Sequence, residues 1–219
     1  MYTVAVFLRG QGTWGREIDR LDEIGVLSTK WMRVMYDVGL AVLRGVTGGL
    51  LAGHGAQKLF GAFEGPGLAG TAGFMEALGL RPGRVWGTTA ALSEFGGGTL
   101  TALGLLHPLG PIGTISAMSM ATAKAHWGKP IWVTAGGAEL PVTNIGVAVA
   151  LILTGPGAYS LDNALGIELP KGLVAVAMLG AGVMIGYGIM QQPAPPEPAK
   201  EEARTTVQGG EAAADSTLP

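Results

Sequence analysis

Five apolar runs, at 38–60, 85–106, 109–127, 139–155 and 172–190, limit what this chain can fold into. A bilayer core about 30 Å thick is crossed by about 20 helical residues, and each run reaches or approaches that length. Inside hydrocarbon no water satisfies backbone N–H and C=O groups, so such runs must be helical. A 48% hydrophobic and 14% charged composition with 38 glycines fits that reading. The expected fold is therefore all-α, a polytopic transmembrane helical bundle. The fourth run is short and opens on "ELP", which puts Pro141 in a first helical turn, where proline is tolerated. The fifth carries no charged side chain.

Around these runs the chain divides into four parts. In 1–36, Ile18, Leu21, Ile24, Leu27, Trp31 and Val34 recur at three- and four-residue steps with charges between them. That spacing predicts an amphipathic helix lying at the membrane interface or docking on a partner protein. A four-helix membrane domain spans 37–165, an additional transmembrane helix 171–190, and a proline- and charge-rich tail expected to be disordered 191–219. The short apolar piece after Met1 ends in charges without a cleavage site, so no removable signal peptide is expected. The glycine-rich stretch 61–84 holds Phe63, Leu68, Phe74, Met75, Leu78 and Leu80, and is expected to pack back on the bundle as a short helix.

A net charge of −2 leaves no basic field for nucleic acid. The absence of cysteine removes thiolate metal sites, iron–sulfur ligation and cysteine nucleophiles from this chain. No phosphate loop, dinucleotide fingerprint, zinc-protease helix or nucleophile elbow occurs in its proper setting, and no metal site is expected.

The ionisable residues inside or beside the runs carry the functional expectation, because a charge near the bilayer centre costs about 2.5–3.5 kcal/mol unless it finds a partner. Alternating spans bring His54 and Lys58, Lys124 and His126, Glu139 and Glu94 to one half of the bundle. Arg44 and Asp162 meet in the other half as an ion pair. Glu94, midway along its span, is either a proton-exchanging or ligand-binding carboxylate, or a structural lock between spans. His54 and Lys58 lie about 40° apart on a helical wheel and share a face. Two histidines on separate spans can ligate haem, but their nearness to the surface disfavours it. His107, in the turn between the second and third runs, is expected at the surface. Gly45, Gly49 and Gly53 in the first run, and Ser116, Ser119 and Thr122 in the third, are expected to allow close helix contact. Met118 and Met120 are packing residues.

Four segments in order, "LRGVTGGLLAGHGAQKLFG", "LSEFGGGTLTALGLL", "MATAKAHWGK" with "GGAELP", and "LTGPGAYSLDNAL", resemble the DoxX/DoxD family of small bacterial integral membrane proteins. The resemblance runs from about 43 to 165. It implies a four-helix core in the bacterial plasma (inner) membrane, crossed several times, and a subunit of a membrane redox complex of the quinone-linked oxidoreductase type, similar to thiosulfate:quinone enzymes. It equally admits a non-catalytic anchor, assembly or chaperone subunit. Under the first expectation Glu94 and Glu139 exchange protons while Lys58, His126 and His54 bind a quinone or a small anion. Arg44, Lys58, Glu94, His126, Glu139 and Asp162 match the family's polar pattern. The expected partners are the lipid bilayer and other membrane or peripheral protein subunits.

Overall fold

A computed structural model describes residues 13–192, and the tail expected at 191–219 lies almost wholly outside them. The described residues are helical throughout, with no strand. In chain order they form α1 (Thr13–Phe60), a 3-10 turn (Ala62–Glu64), α2 (Gly67–Ala77), α3 (Gly83–Leu103), α4 (Leu109–Ala125), a second 3-10 turn (Val133–Ala135), α5 (Glu139–Thr154), the short α6 (Leu161–Leu165) and α7 (Lys171–Met190).

Local chemistry sets these limits. Gly61, at φ 71°, ends α1 in the left-handed conformation that side chains resist. Gly104, at φ 62°, ends α3, with Leu105 N–H returning to the Leu100 carbonyl at 2.9 Å. Proline stands just before α2, α3, α4 and α7. The amphipathic N-terminal stretch and the first apolar run are one uninterrupted helix of 48 residues, about 72 Å long, with no break near residue 36.

α3 is the central element: it packs on α1, α2 and α4, while α4 also contacts α5 and α7. The buried side of α1 is Arg44, Gly48, Leu51 and Gly55, at steps of four, three and four. At 100° per residue the centre of this stripe lies about 130° from that of Gly45, Gly49 and Gly53. Those three glycines were expected to be the close-packing set, yet an added Cβ at any of them meets nothing within 4 Å. The intimate contact is made instead by Gly48, Gly55 and Gly98. The two registers are equally regular in sequence, and only the partner helix selects between them.

Among the described residues two helices are long and apolar enough to cross a membrane, Ser28–Phe60 and Lys171–Met190. The inner helices α3, α4 and α5 have 21, 17 and 16 residues and are rich in glycine, serine, threonine or both. Large apolar side chains point outward over much of the surface, among them Val42, Val46, Leu50, Leu153, Leu179 and Val183. An outward apolar face of this extent marks a surface that water does not cover.

Candidate functional site

The last turns of α1 bring Lys58 against α3. Edge-to-face contact between Phe60 and Phe95, with centroids 5.4 Å apart, and the buried Thr71 hydroxyl, which donates to Gly67 O at 2.8 Å and to Lys58 O at 3.3 Å, hold this end in place. Lys58 Nζ donates to Glu94 Oε1 in an ion pair, and its positive charge also suits a helix C-terminus. Glu94 is 4% exposed, and its second oxygen, Oε2, is buried without a hydrogen-bond partner.

Both residues line a cavity of about 120 Å³ walled by α2, α3, α4 and α7, with Met75, Leu80, Trp86, Ala117, Met120, Met184 and Ile185 as its apolar surface. Ser93, Ser116 and Lys124 add polar groups. Apolar cavities of about 150 Å³ in other proteins accept a benzene-sized guest, so this one has room for a single ring. α7 closes one wall: Tyr187 stacks on Trp86 at 5.9 Å, and Lys124 Nζ donates to the carbonyls of Ile189, at 3.3 Å, and Gln191. Arg81 N–H donates to Gln191 Oε1 at 2.7 Å, fastening the same end.

The polar convergence expected from alternating spans is met by Lys58, Glu94 and Lys124. The other three bind locally and do not line the cavity. His54 is exposed, with Nδ1 3.2 Å from Gln57 Oε1 on its own helix. His126 Nδ1 lies 2.7 Å from the Gly136 carbonyl, and Glu139 Oε2 accepts the Val133 N–H at 2.8 Å, so both fasten the loop between α4 and α5. A 40° offset thus separates His54 from Lys58: with the bundle face centred on Arg44, Gly48 and Gly55, His54 falls on its margin.

At the other end, Arg44 and Asp162 are both buried, at 3% and 4% exposure, but they do not form the expected ion pair. Arg44 Nη2 donates to the Tyr159 carbonyl at 2.9 Å. Asp162 Oδ1 and Oδ2 accept the backbone N–H groups of Leu106 and His107, at 2.8 and 2.7 Å. The turn after α3 would otherwise bury those donors unpaired, and the carboxylate satisfies both at once. His107 is half-buried rather than superficial. Burial pushes its imidazole below the ordinary histidine range, against the opposing pull of the Asp162 charge.

Gly104 is what admits Arg44 here. A Cβ on it would stand 1.5 Å from Arg44 Nη1 and 2.6 Å from Ser160 Cβ. Gly104→Ala is expected to lower the thermal midpoint well beyond Gly166→Ala, which shares a positive φ of 66° but has open space around it. Equal losses would mean that Arg44 yields freely.

Sequence reasoning did not find the walls of the cavity. Trp86, Ser93, Met184 and Ile185 carry no motif, and only the apolar content of 61–84 signalled that Met75 and Leu80 fold back. The hydroxyls of Ser116 and Thr122 donate to carbonyls four residues earlier, and Met118 is buried in packing, as expected. Among the described residues no cluster of histidine, aspartate and glutamate is arranged to hold a metal.

Residues 39–127 match the model of the DoxX family. The match takes in the bundle part of α1, then α2, α3 and α4, and so both members of the Lys58–Glu94 pair. No curated protein and no solved structure matches the chain.

Proposed function

The chain belongs to the DoxX family through residues 39–127 and is accordingly a membrane protein; from that premise we propose that it is a multi-pass plasma-membrane subunit of a redox complex, with a quinone-type ring in the Lys58–Glu94 cavity. The observation that carries this reading is Glu94 Oε2, a buried oxygen without a partner, on a residue that lines a largely apolar cavity of single-ring size. Lys58 engages Glu94 through Oε1 and leaves Oε2 open to a ligand. In this reading the hydroxyl of a bound quinol gives its proton to Glu94 Oε2 as an electron-accepting subunit of the complex takes the electrons, and the remaining N–H groups of Lys58 donate to an oxygen of the ligand. The aromatic and aliphatic walls hold the ring and keep water from the proton's path. Glu139, His126 and His54 do not line this cavity, and the reading gives them no role in it.

Titrating the detergent-solubilised protein with a short-chain quinone and its quinol, followed by quenching of Trp86 fluorescence against a Trp86→Phe control, tests the proposal. Glu94→Gln is expected to weaken binding by roughly tenfold or more, which is about 1.4 kcal/mol for each tenfold step. Unchanged affinity in a folded Glu94→Gln protein would remove the cavity from the reading.

A specific feature supports the assembly reading as well. α1, at about 72 Å, exceeds the roughly 30 Å hydrocarbon core, so its N-terminal half extends beyond it as an arm for another subunit. The two readings are compatible, one describing the cavity and the other the attachment.

A further inference from the structure

The last turn of α7 carries most of what holds that helix to the bundle. Its inward side is a single row packed on α4, with Val174, Ala177, Ala181 and Ile185 partly buried and Gly188 buried. Three of these five are alanine or glycine, so the row covers little side-chain surface. In a bilayer no hydrophobic force draws apolar helices together, and attachment depends on packing and polar contacts. The polar and aromatic contacts sit at one end: Tyr187 stacks on Trp86, Lys124 Nζ donates to the carbonyls of Ile189 and Gln191, and Arg81 N–H donates to Gln191 Oε1. Among the described residues no side-chain hydrogen bond or ring contact ties 171–186 to another helix.

The same end walls the Glu94 cavity. Met184 and Ile185 line it, while Trp86 and Lys124 belong both to the wall and to the fastening. Of the residues lining the cavity only Phe74 on α2 and Met184 on α7 are exposed, at 53% and 38%. α2 and α7 share no packed interface, so the exposed side of the cavity lies between them. Met184 stands about 9 Å inside the end of α7, which puts this side below the membrane surface. At its other end α7 follows the short link 166–170, where Gly166, at φ 66°, has open space around it. The helix is about 30 Å long, so a tilt of about 10° at that link carries its last turn about 5 Å, more than the thickness of an aromatic ring.

We propose that the Glu94 cavity is filled sideways from the bilayer, between Phe74 and Met184, and that the last turn of α7 is its lid, latched by Lys124. The latch is an ammonium on a helix C-terminus, where cation and helix dipole attract. A guest arriving by this route is dissolved in hydrocarbon, so the lid admits lipid-soluble rings and not water-borne ions. The inference rests on the proposed function only in taking a ring as the guest; the lid and its latch stand on α7 itself.

The chain has no cysteine, so Ser93→Cys places a single thiol in the cavity wall, and Ser28→Cys, exposed on the arm, gives a reference rate. The full chain in lipid nanodiscs is treated with ethyl methanethiosulfonate, which is neutral, or its charged sulfonatoethyl analogue, and labelling is followed by mass spectrometry. Relative to the reference, the neutral reagent is expected to label Ser93→Cys roughly tenfold faster than the charged one, because a charge enters hydrocarbon poorly. Adding Lys124→Met or Tyr187→Ala is expected to speed the neutral reagent by roughly fivefold or more as the latch is lost. Removing the Lys124 cation by itself makes a nearby thiol less reactive, so acceleration there reports opening. Equal relative rates for the two reagents put the entrance on the aqueous side, and unchanged rates in both latch variants make α7 a fixed wall; either result overturns the proposal. Where the latch variants do not fold, the two reagents on Ser93→Cys alone decide. Protection of Ser93→Cys by a short-chain quinone with unchanged latch rates keeps the quinone and removes the lid, whereas acceleration without protection keeps the lid and removes the quinone.

Discussion

Gly98→Leu or Gly55→Leu is expected to abolish assembly of the bundle, whereas Gly49→Leu is expected to leave it folded. An added Cβ at Gly98 would lie 2.4 Å from Ala52 N and 2.6 Å from Gly48 O; at Gly55 it would lie 2.2 Å from Phe95 N. The opposing atoms are helical backbone, which cannot move aside as the end of a flexible side chain can. Overpacking ordinarily costs about 1–3 kcal/mol when neighbours can adjust, and here α1 and α3 must separate. Separation also opens the Lys58–Glu94 pair, because α1 supplies one member and α3 the other. In membranes, small residues at such contacts permit the close approach that packing requires. Size-exclusion chromatography of detergent extracts, with thermal melts of the alanine versions, measures the effect. Sensitivity at Gly49 with tolerance at Gly98 would show that α1 presents the opposite face.

The second large effect concerns the buried pair. Lys58→Met alone leaves Glu94, 4% exposed, without its partner; removing one member of a buried pair typically costs about 3–5 kcal/mol. The lysine side chain is 29% exposed, so solvent screening reduces that figure. Glu94→Gln alone strands a cation that has a route to water, and is expected to cost less. Combining the two, Lys58→Met with Glu94→Gln, is expected to recover most of the loss, since no uncompensated charge remains. A double-mutant cycle on the thermal midpoint gives the coupling directly. Additive losses would mean that the two side chains do not act as a pair. The cycle also bears on the proposed function: a double variant that regains stability but not ring binding separates the lock from the ligand site.

What was legible in the sequence follows from its local chemistry. The last four apolar runs match α3, α4, α5 and α7 to within a few residues, because proline and glycine punctuate their ends. The fold-back of 61–84 as α2 was visible in its apolar residues. The first run was legible as helix, but its continuity with the amphipathic arm was not. Charge along the arm argued for a separate interfacial element, yet residues 13–60 contain neither proline nor any other compulsory stop.

The site was legible in kind and not in membership. That Glu94 needed a partner follows from the cost of a carboxylate in an apolar helix, and Lys58 was among the residues topology delivered. His54, His126 and Glu139 were delivered to the same end and use their polar atoms on nearby groups instead. Arg44 and Asp162 were rightly placed in one region, but the turn after α3 held backbone donors that claimed the carboxylate first.

By itself, then, the sequence determined an all-helical chain, the ends of most helices, and the need for its buried charges to be met. These depend on the residue and its close neighbours: apolar period, proline, glycine and the cost of desolvation. Tertiary structure alone decided which glycines touch, which cation meets Glu94, and where cavities remain beside Glu94 and Arg44. Those outcomes depend on the rotation of each helix about its axis, and a shift of one position along α1 turns the contact face by about 100°.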